Sequence, residues 1–514
     1  MRREPPLSAR IHPRVPALVM VTCIVLTSQS LEAQWDAPVL PHRTPLEWGE
    51  VIFDATLLFR SADTWMGGGP LADGLRRNDA LDLFDTEGAL RSALSTLGAD
   101  PSTLRAGGTA AAVQASQTHL PLTVRAGLPW GLEVEATVRF VRTRLEADSR
   151  LLPAAGATLG RSPALDNPSA VQGFVDEVRA ATQGFTAGGR DWEAWGAAWT
   201  AAYRASPLFP TAGSAAASQL LAELDGLNAA LADAGRNVVA ASPLFAAAAL
   251  TPGEHLGITT GAPFGLIPFE NAPFEWSTGD ADLILRYGAF GDARQDRAPG
   301  DSIGRGIVLT GGVRIPLADQ ENPDLPFATA AGNGVAAALL GGEGWIEGEK
   351  WAATGSLRTT LHGSTDVVRR IAPRDVVFIG RDSRTDLSWT PGMQLLGQLR
   401  LEFTPAGPLR LSLGYTLDHR GEDSFERLGP VPEFSENFAF PAPPFFSDPD
   451  ILEEGTGGTV HWVRGGARWS PGKDGGFGIS FDVGTPVSGE IPRALEWTEI
   501  RFRAHRAVSL SGIF

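Results

Sequence analysis

Between Met393 and Leu417 the chain alternates apolar and polar positions in two runs. Met393, Leu395, Gly397, Leu399, Leu401 and Phe403 interleave with Gln394, Leu396, Gln398, Arg400 and Glu402. After Thr404–Pro408, Leu409, Leu411, Leu413, Tyr415 and Leu417 interleave with Arg410, Ser412, Gly414, Thr416 and Asp418. Strand side chains point to opposite faces with period two, so each run has one apolar and one polar face. The same period predicts twelve strands, beginning with Glu50–Arg60, Leu120–Leu128, Leu132–Arg142, Asp280–Phe290, Gly306–Pro316, Gly334–Ile346 and Trp351–Gly363. The two runs above follow, then Thr459–Trp469, Phe477–Gly484 and a last strand from Glu496 to the end. Most have the roughly 9–11 residues that cross a bilayer at a tilt.

The connections alternate in length, as periplasmic turns and extracellular loops do in membrane barrels. The stretches 129–131, 347–350, 404–408 and 470–476 are short, whereas 61–119, 143–279, 317–333, 364–391 and 421–458 are long. An even strand count leaves both termini in the periplasm. Two places strain the pattern: 291–305 is long for a periplasmic turn, and Arg506 falls on the apolar phase of Ile500, Phe502 and Phe514. An arginine facing lipid costs roughly 2–4 kcal/mol at the midplane, which predicts a bulge near His505. Pairing lipid faces across the short turns sets Arg125 opposite Glu135, Glu402 opposite Arg410 and Arg464 opposite Asp482.

Residues 150–278 change period and read as a helical extracellular insertion. Ser169–Gln183, Asp191–Ala205 and Ser214–Arg236 are alanine-rich, with Leu220, Leu224, Leu227 and Leu231 in one stripe and Trp192, Trp195 and Trp199 on one face. Asn167 or Asp166 before Pro168, and Asp191, are N-terminal signals. A cap packing on itself and a lid or plug touching a ligand use the same stripes. A further helix is expected at Leu81–Leu97.

The ends and the charge agree with a secreted membrane barrel. Arg2, Arg3, Arg10 and Arg14 precede the apolar stretch Ala17–Leu26, and small residues follow, which predicts a signal segment 1–33 cleaved after Ser30 or Ala33. Its removal takes away the only cysteine, Cys23, and leaves a net charge near −18, a poor match for nucleic acid. Residues 34–149 then hold strands one to three with a long first loop, and 279–514 hold strands four to twelve.

Gly279-Asp280-Ala281-Asp282-Leu283 with Arg286-Tyr287, followed by Gly311 to Pro316, resembles a Gly-Asp…Leu…Lys/Arg-Tyr strand and a Leu-Pro-Thr-Gly strand end. Those motifs mark barrels grouped with the phenol meta-cleavage-pathway outer-membrane proteins, and Asn333-Gly334 is similar to their next landmark. The resemblance covers residues 279–420 and departs after Pro316, where Thr-Gly is missing. It implies passage of small hydrophobic or aromatic compounds, and a C-terminal aromatic such as Phe514 is what barrel assembly machinery reads. A related family of unknown function has a similar layout with a helical insertion after the third strand.

The inward phase carries Arg125, Glu135, Arg139, Arg286, Arg314, Arg358, Arg400, Glu402, Arg410, Arg464, Asp482, Arg501 and Arg503, besides Asp54, Arg60, Glu133, Asp282, Asp418 and Arg468. Such charges either pair across strands or line a path that selects ions. Phe264, Phe269, Phe274 and Trp276 in one loop, and Phe438, Phe440, Phe445 and Phe446 in another, either capture apolar solutes or pack at the cap and lipid interface. Asp418-His419 points to opposite faces, and no nucleophile motif or metal-spaced set accompanies it, so neither catalysis nor a metal or other cofactor is expected. The acidic stretch Asp448–Glu454 lacks the ligand spacing of a calcium loop. The expected fold is therefore an all-β antiparallel transmembrane barrel of about twelve strands in a bacterial outer membrane, in contact with its lipid. Two functions follow: a channel or facilitator for small hydrophobic molecules, or a structural or surface-binding barrel with a closed lumen.

Overall fold

The computed structural model describes residues 46–509 apart from 64–75, 86–87, 262–274, 292–302, 321, 324–330, 372–382, 430–447, 472–476 and 490–495. Twelve antiparallel strands close into a barrel: β1 (Glu50–Ala62), β2 (Gly108–Gly127), β3 (Leu132–Leu152), β4 (Trp276–Gly291), β5 (Gly304–Ile315), β6 (Ala337–Glu347), β7 (Trp351–His362), β8 (Gln394–Ala406), β9 (Leu409–Arg420), β10 (Gly458–Trp469), β11 (Phe477–Gly489) and β12 (Thr498–Ser509). Each strand pairs with the next in sequence, and β1 closes on β12 in unbroken register from Glu50 opposite Ser509 to Ser61 opposite Thr498. Closure satisfies every ladder position without an edge, the condition for a sheet to span lipid.

The wall is inverted relative to a water-soluble protein. Leu399, Leu401 and Leu413 are 63%, 60% and 58% exposed, while Arg125 and Glu133 inside are 0% exposed. Exposing a leucine to water forgoes roughly 1.5–3 kcal/mol. A belt of such residues on every strand is sustainable only in hydrocarbon, and this places the barrel in the outer membrane. Trp48, Trp130, Trp351 and Trp469 stand exposed at the turn end, where amphipathic rings meet the headgroups.

Several expectations require correction. The strands β2 and β3 are about twice the expected length, adding 108–119 and 143–152, of which 108–114 and 143–152 run past the neighbouring barrel strands. The small residues of Gly108–Gln117 carry no lipid-facing signal, but these stretches pair with each other all the way to Gly108 opposite Leu152. The helix expected at Leu81–Leu97 is two pieces, a 3-10 turn at Ala80–Leu83 and an α-helix, α1 (Ala89–Thr96), whose N-cap Gly88 has a left-handed φ of 69°. No bulge occurs near His505. His505 is buried in the lumen and Arg506 points outward opposite Phe53, three residues from the periplasmic end of β12. At that depth an outward arginine costs roughly 0–1 kcal/mol, and its head reaches water.

The insertion folds as α2 (Pro163–Asp166), α3 (Pro168–Thr182), α4 (Trp192–Ala205), α5 (Ala215–Asp233) and α6 (Pro252–Thr260). Asn167 accepts from the Ala170 amide (3.3 Å) and Asp191 from that of Ala194 (3.0 Å), as N-caps do. Trp195 and Phe174 meet Trp199 edge-on and Tyr203 stacks on it, inside the insertion's core with the leucine stripe of α5. The insertion does not pack on itself alone. Leu90, Leu94 and Leu97 of the first loop, Leu151 of β3, and Trp462 and Trp497 at the barrel mouth belong to the same apolar core. A second small sheet (365–370, 384–390, 424–427) packs Trp389 against Phe425 above the other half of the rim.

Candidate functional site

Inside the barrel the charged side chains form several ion-paired groups. Nearest the periplasm, Arg125 pairs with Glu133 and lies 3.6 Å from Glu135. Arg286 joins Glu133 (3.3 Å), Glu135 (3.8 Å) and Glu343 (3.2 Å). The Leu46 amide donates to Glu133 (3.1 Å), so the segment leading into β1 runs into this mouth. Gly127 admits it, because a Cβ there would collide with the Glu47 carbonyl.

Midway, three arginines converge on Asp282. Arg139 reaches it at 2.6 Å, Arg358 at 2.9 Å, and Arg314 binds both its oxygens at 2.9 and 3.2 Å. The opposite wall carries Glu499 with Arg60 (2.5 Å), Arg464 (3.3 Å) and Arg501 (3.9 Å), and Asp54 with Arg503 (2.6 Å). Arg400 holds Glu402 (3.2 Å) and Asp482 (3.4 Å). Several links skip strands, and the longest of these skip two, as where Arg358 on β7 reaches β4 and Arg400 on β8 reaches β11. They cross the lumen instead of running along its wall. The space left beside Asp282, between Asp54, His119, Glu135, Arg139 and Arg358, is about 40 Å³.

Every inward residue read from the sequence lies buried or half-buried on the lumen side of its strand. The register differs in two of the three expected pairs, and the ion-pair partner in one. Arg125 does sit opposite Glu135. Glu402 sits opposite Ser412, because β8 continues to Ala406 and leaves only Gly407-Pro408 as the turn, yet Arg410 reaches it diagonally at 3.4 Å. Arg464 sits opposite Gly484 and pairs with Glu499, while Asp482 faces Gly466 and Arg501. Asp418 is buried against Gln394 (2.8 Å), and His419 faces outward to Thr459 (2.9 Å). Of the aromatic loop residues, Trp276 begins β4 and is 47% exposed. Phe264, Phe269, Phe274, Phe438, Phe440, Phe445 and Phe446 lie outside the described residues, as do the segment 1–33, the bulk of the connection 291–305, and Phe514. In the acidic stretch, the Glu453 carboxylate accepts from the Phe425 amide (2.8 Å).

Pattern reading missed the role of Asp280. Its carboxylate is fully buried and accepts four backbone amides, from Leu317 (3.0 Å), Ala318 (3.1 Å), Asn333 (3.0 Å) and Gly334 (3.2 Å). It thereby draws both ends of the β5–β6 loop into the mouth. Gly334 adopts the left-handed φ of 62° that this requires, which is the physical content of the Gly-Asp and Asn-Gly landmarks. The signal was present as an aspartate at the head of a strand with no basic partner in phase.

Above the mouth, His255 on α6 is 4% exposed and meets Phe84 of the first loop edge-on at 5.7 Å. Burial pushes its imidazole down from 6.5 to about 4. The folded cap holds it neutral while an unfolded cap would protonate it, so its contribution is full above pH 6.5 and is lost as pH falls toward 4. Hydrogen exchange of α6 is expected to accelerate over that window, and His255→Phe should remove the dependence. An exchange rate independent of pH-driven opening in the wild type would refute this.

No family model matches the chain, and no curated protein matches it in sequence. Solved structures similar in architecture include an outer membrane channel from Pseudomonas putida F1 (9% identity, TM-score 0.42, 91% of this chain and 99% of that one). Others are the translocator domain of the autotransporter NalP from Neisseria meningitidis (9%, 0.31, 91% and 90%) and the monoaromatic hydrocarbon channel CymD (9%, 0.24, 90% and 89%). The likeness to these structures is one of overall barrel architecture alone.

Proposed function

We propose that this outer-membrane barrel is a narrow channel or facilitator for small hydrophobic molecules, favouring those that carry a carboxylate. The observation that supports this reading is the convergence of Arg139, Arg314 and Arg358 on the single carboxylate of Asp282 at the centre of the lumen. An incoming aromatic acid can exchange with the Asp282 carboxylate for these guanidiniums and stack on their flat cationic faces. The reading of a closed structural barrel is favoured by the cross-lumen bridges and the small space beside them.

Flux into proteoliposomes separates the two. Benzoate is expected to enter faster than benzyl alcohol of similar size, saturably, and Arg358→Gln should remove the preference. Deleting residues 150–275 with a short linker should raise both fluxes while leaving a heat-modifiable barrel, because the strand ladder closes without the cap. Absence of flux for both probes in both proteins would establish the closed-lumen reading instead.

A further inference from the structure

The outer wall holds a depression of about 690 Å³ facing the membrane on the periplasmic half of β5–β9. Its existence follows from sequence. Outward positions around it carry large side chains such as Ile307, Leu399, Leu401 and Leu413, but on β6 and β7 they fall to Gly344, Ala353 and Gly355. Ile307 flanks this floor on one side and Leu399 and Leu401 on the other. A barrel exterior is convex, so a missing row of side chains leaves a hollow that lipid tails must fill.

One charged group opens onto its periplasmic end. Arg305 faces outward opposite Ile346, with its guanidinium 5.7 Å from the centre of the Phe290 ring. The hairpin beside it turns through exposed Lys350, one of only two lysines in the sequence. Apolar depth with cations at the headgroup level matches one kind of molecule: a lipid with an acyl chain and a phosphate. The position of the cations at the turn end selects the periplasmic leaflet, where the headgroup is that of a glycerophospholipid. A lipid of the outer leaflet would enter with its charge at the opposite end.

We propose that this hollow is a specific site for one glycerophospholipid of the periplasmic leaflet, its chain lying over Gly344 and Gly355 and its phosphate on Arg305. The proposal is independent of what passes through the lumen. It does not require a second protein chain, since Leu399 and Leu401 rise as ridges that would hold a flat partner away from the floor.

Native mass spectrometry of the full-length mature protein, released from micelles after delipidation and titrated with phosphatidylglycerol or diacylglycerol, tests it. Gly344→Leu fills the floor without collision, because a Cβ there first meets the Gly306 carbonyl at 3.7 Å. Wild type should bind one phosphatidylglycerol in preference to diacylglycerol. Gly344→Leu should weaken both by about tenfold, the value of losing contact with two methylenes. Arg305→Gln should keep diacylglycerol binding and lose the preference for the phosphate. Ala504→Leu, outward on the far wall, should change neither, and the heat-shifted band of each variant reports folding. Equal binding by wild type and Gly344→Leu, no preference for the phosphate in wild type, or a dimer that Gly344→Leu dissociates would each overturn the proposal. If Gly344→Leu fails to fold, the Arg305→Gln comparison decides alone.

Discussion

Asp282→Ala is expected to destabilise the barrel by about 3–5 kcal/mol, the cost of breaking a buried ionic group from one side. The substitution removes the carboxylate and leaves Arg139, Arg314 and Arg358 pointing at one another, the first two almost wholly out of water. Adding Arg314→Met removes one of the stranded cations, and the double variant should be more stable than the single. That sign is what distinguishes a dry network from a hydrated one, where the two losses would add. Urea unfolding in micelles, followed by tryptophan fluorescence, reads the difference. A single variant as stable as wild type would mean that water reaches these arginines. The same cycle at Asp482 must be made with Arg400, its observed partner at 3.4 Å, not with Arg464.

That exchange of partners shows what a sequence of this kind specifies. Period two fixes which face a residue takes, because a slip of one position would turn leucines into the lumen and arginines into lipid. A slip of two turns nothing over. Phe403 faces Leu411 instead of Leu409, and Trp469 faces Ile479 instead of Phe477, with every side chain still on its expected side. The faces of Arg400, Arg464 and Asp482 were therefore legible, and their ion pairs were not. Pairs such as Arg358 with Asp282 were out of reach for a different reason: they join strands that are not neighbours, and only closure of the barrel brings them together. The overhanging ends of β2 and β3 were hidden because the alternation of Gly108–Gln117 is between small and polar residues, which lipid does not impose. The leucine and tryptophan stripes of α4 and α5 were plain at helical spacing, but nothing in them showed that Trp462 and Trp497 of the barrel would complete their core.

Asp280 carries the second large effect. Its buried carboxylate serves two amides on each oxygen, Leu317 and Ala318 on one and Asn333 and Gly334 on the other. Asp280→Ala leaves four donors without their acceptor, and hydrogen bonds to a charged group contribute roughly 1.5–3 kcal/mol each before water compensates at the open end. A net loss of about 2–5 kcal/mol is expected, concentrated in the loop instead of spread over the wall. Asp280→Asn should fall between, because its single carbonyl oxygen can keep one pair of amides while its NH₂ group faces the donors of the other. Both ends of the β5–β6 connection lean into the mouth through this one side chain, so releasing them should also raise conductance in planar bilayers. Limited proteolysis of whole cells should cut between 317 and 334 fastest in Asp280→Ala, more slowly in Asp280→Asn and slowest in wild type. Equal cutting in all three would show that the loop is held by its other contacts and that Asp280 is a passive neighbour. Faster cutting without higher conductance would locate the closure deeper, at Asp282 and its arginines.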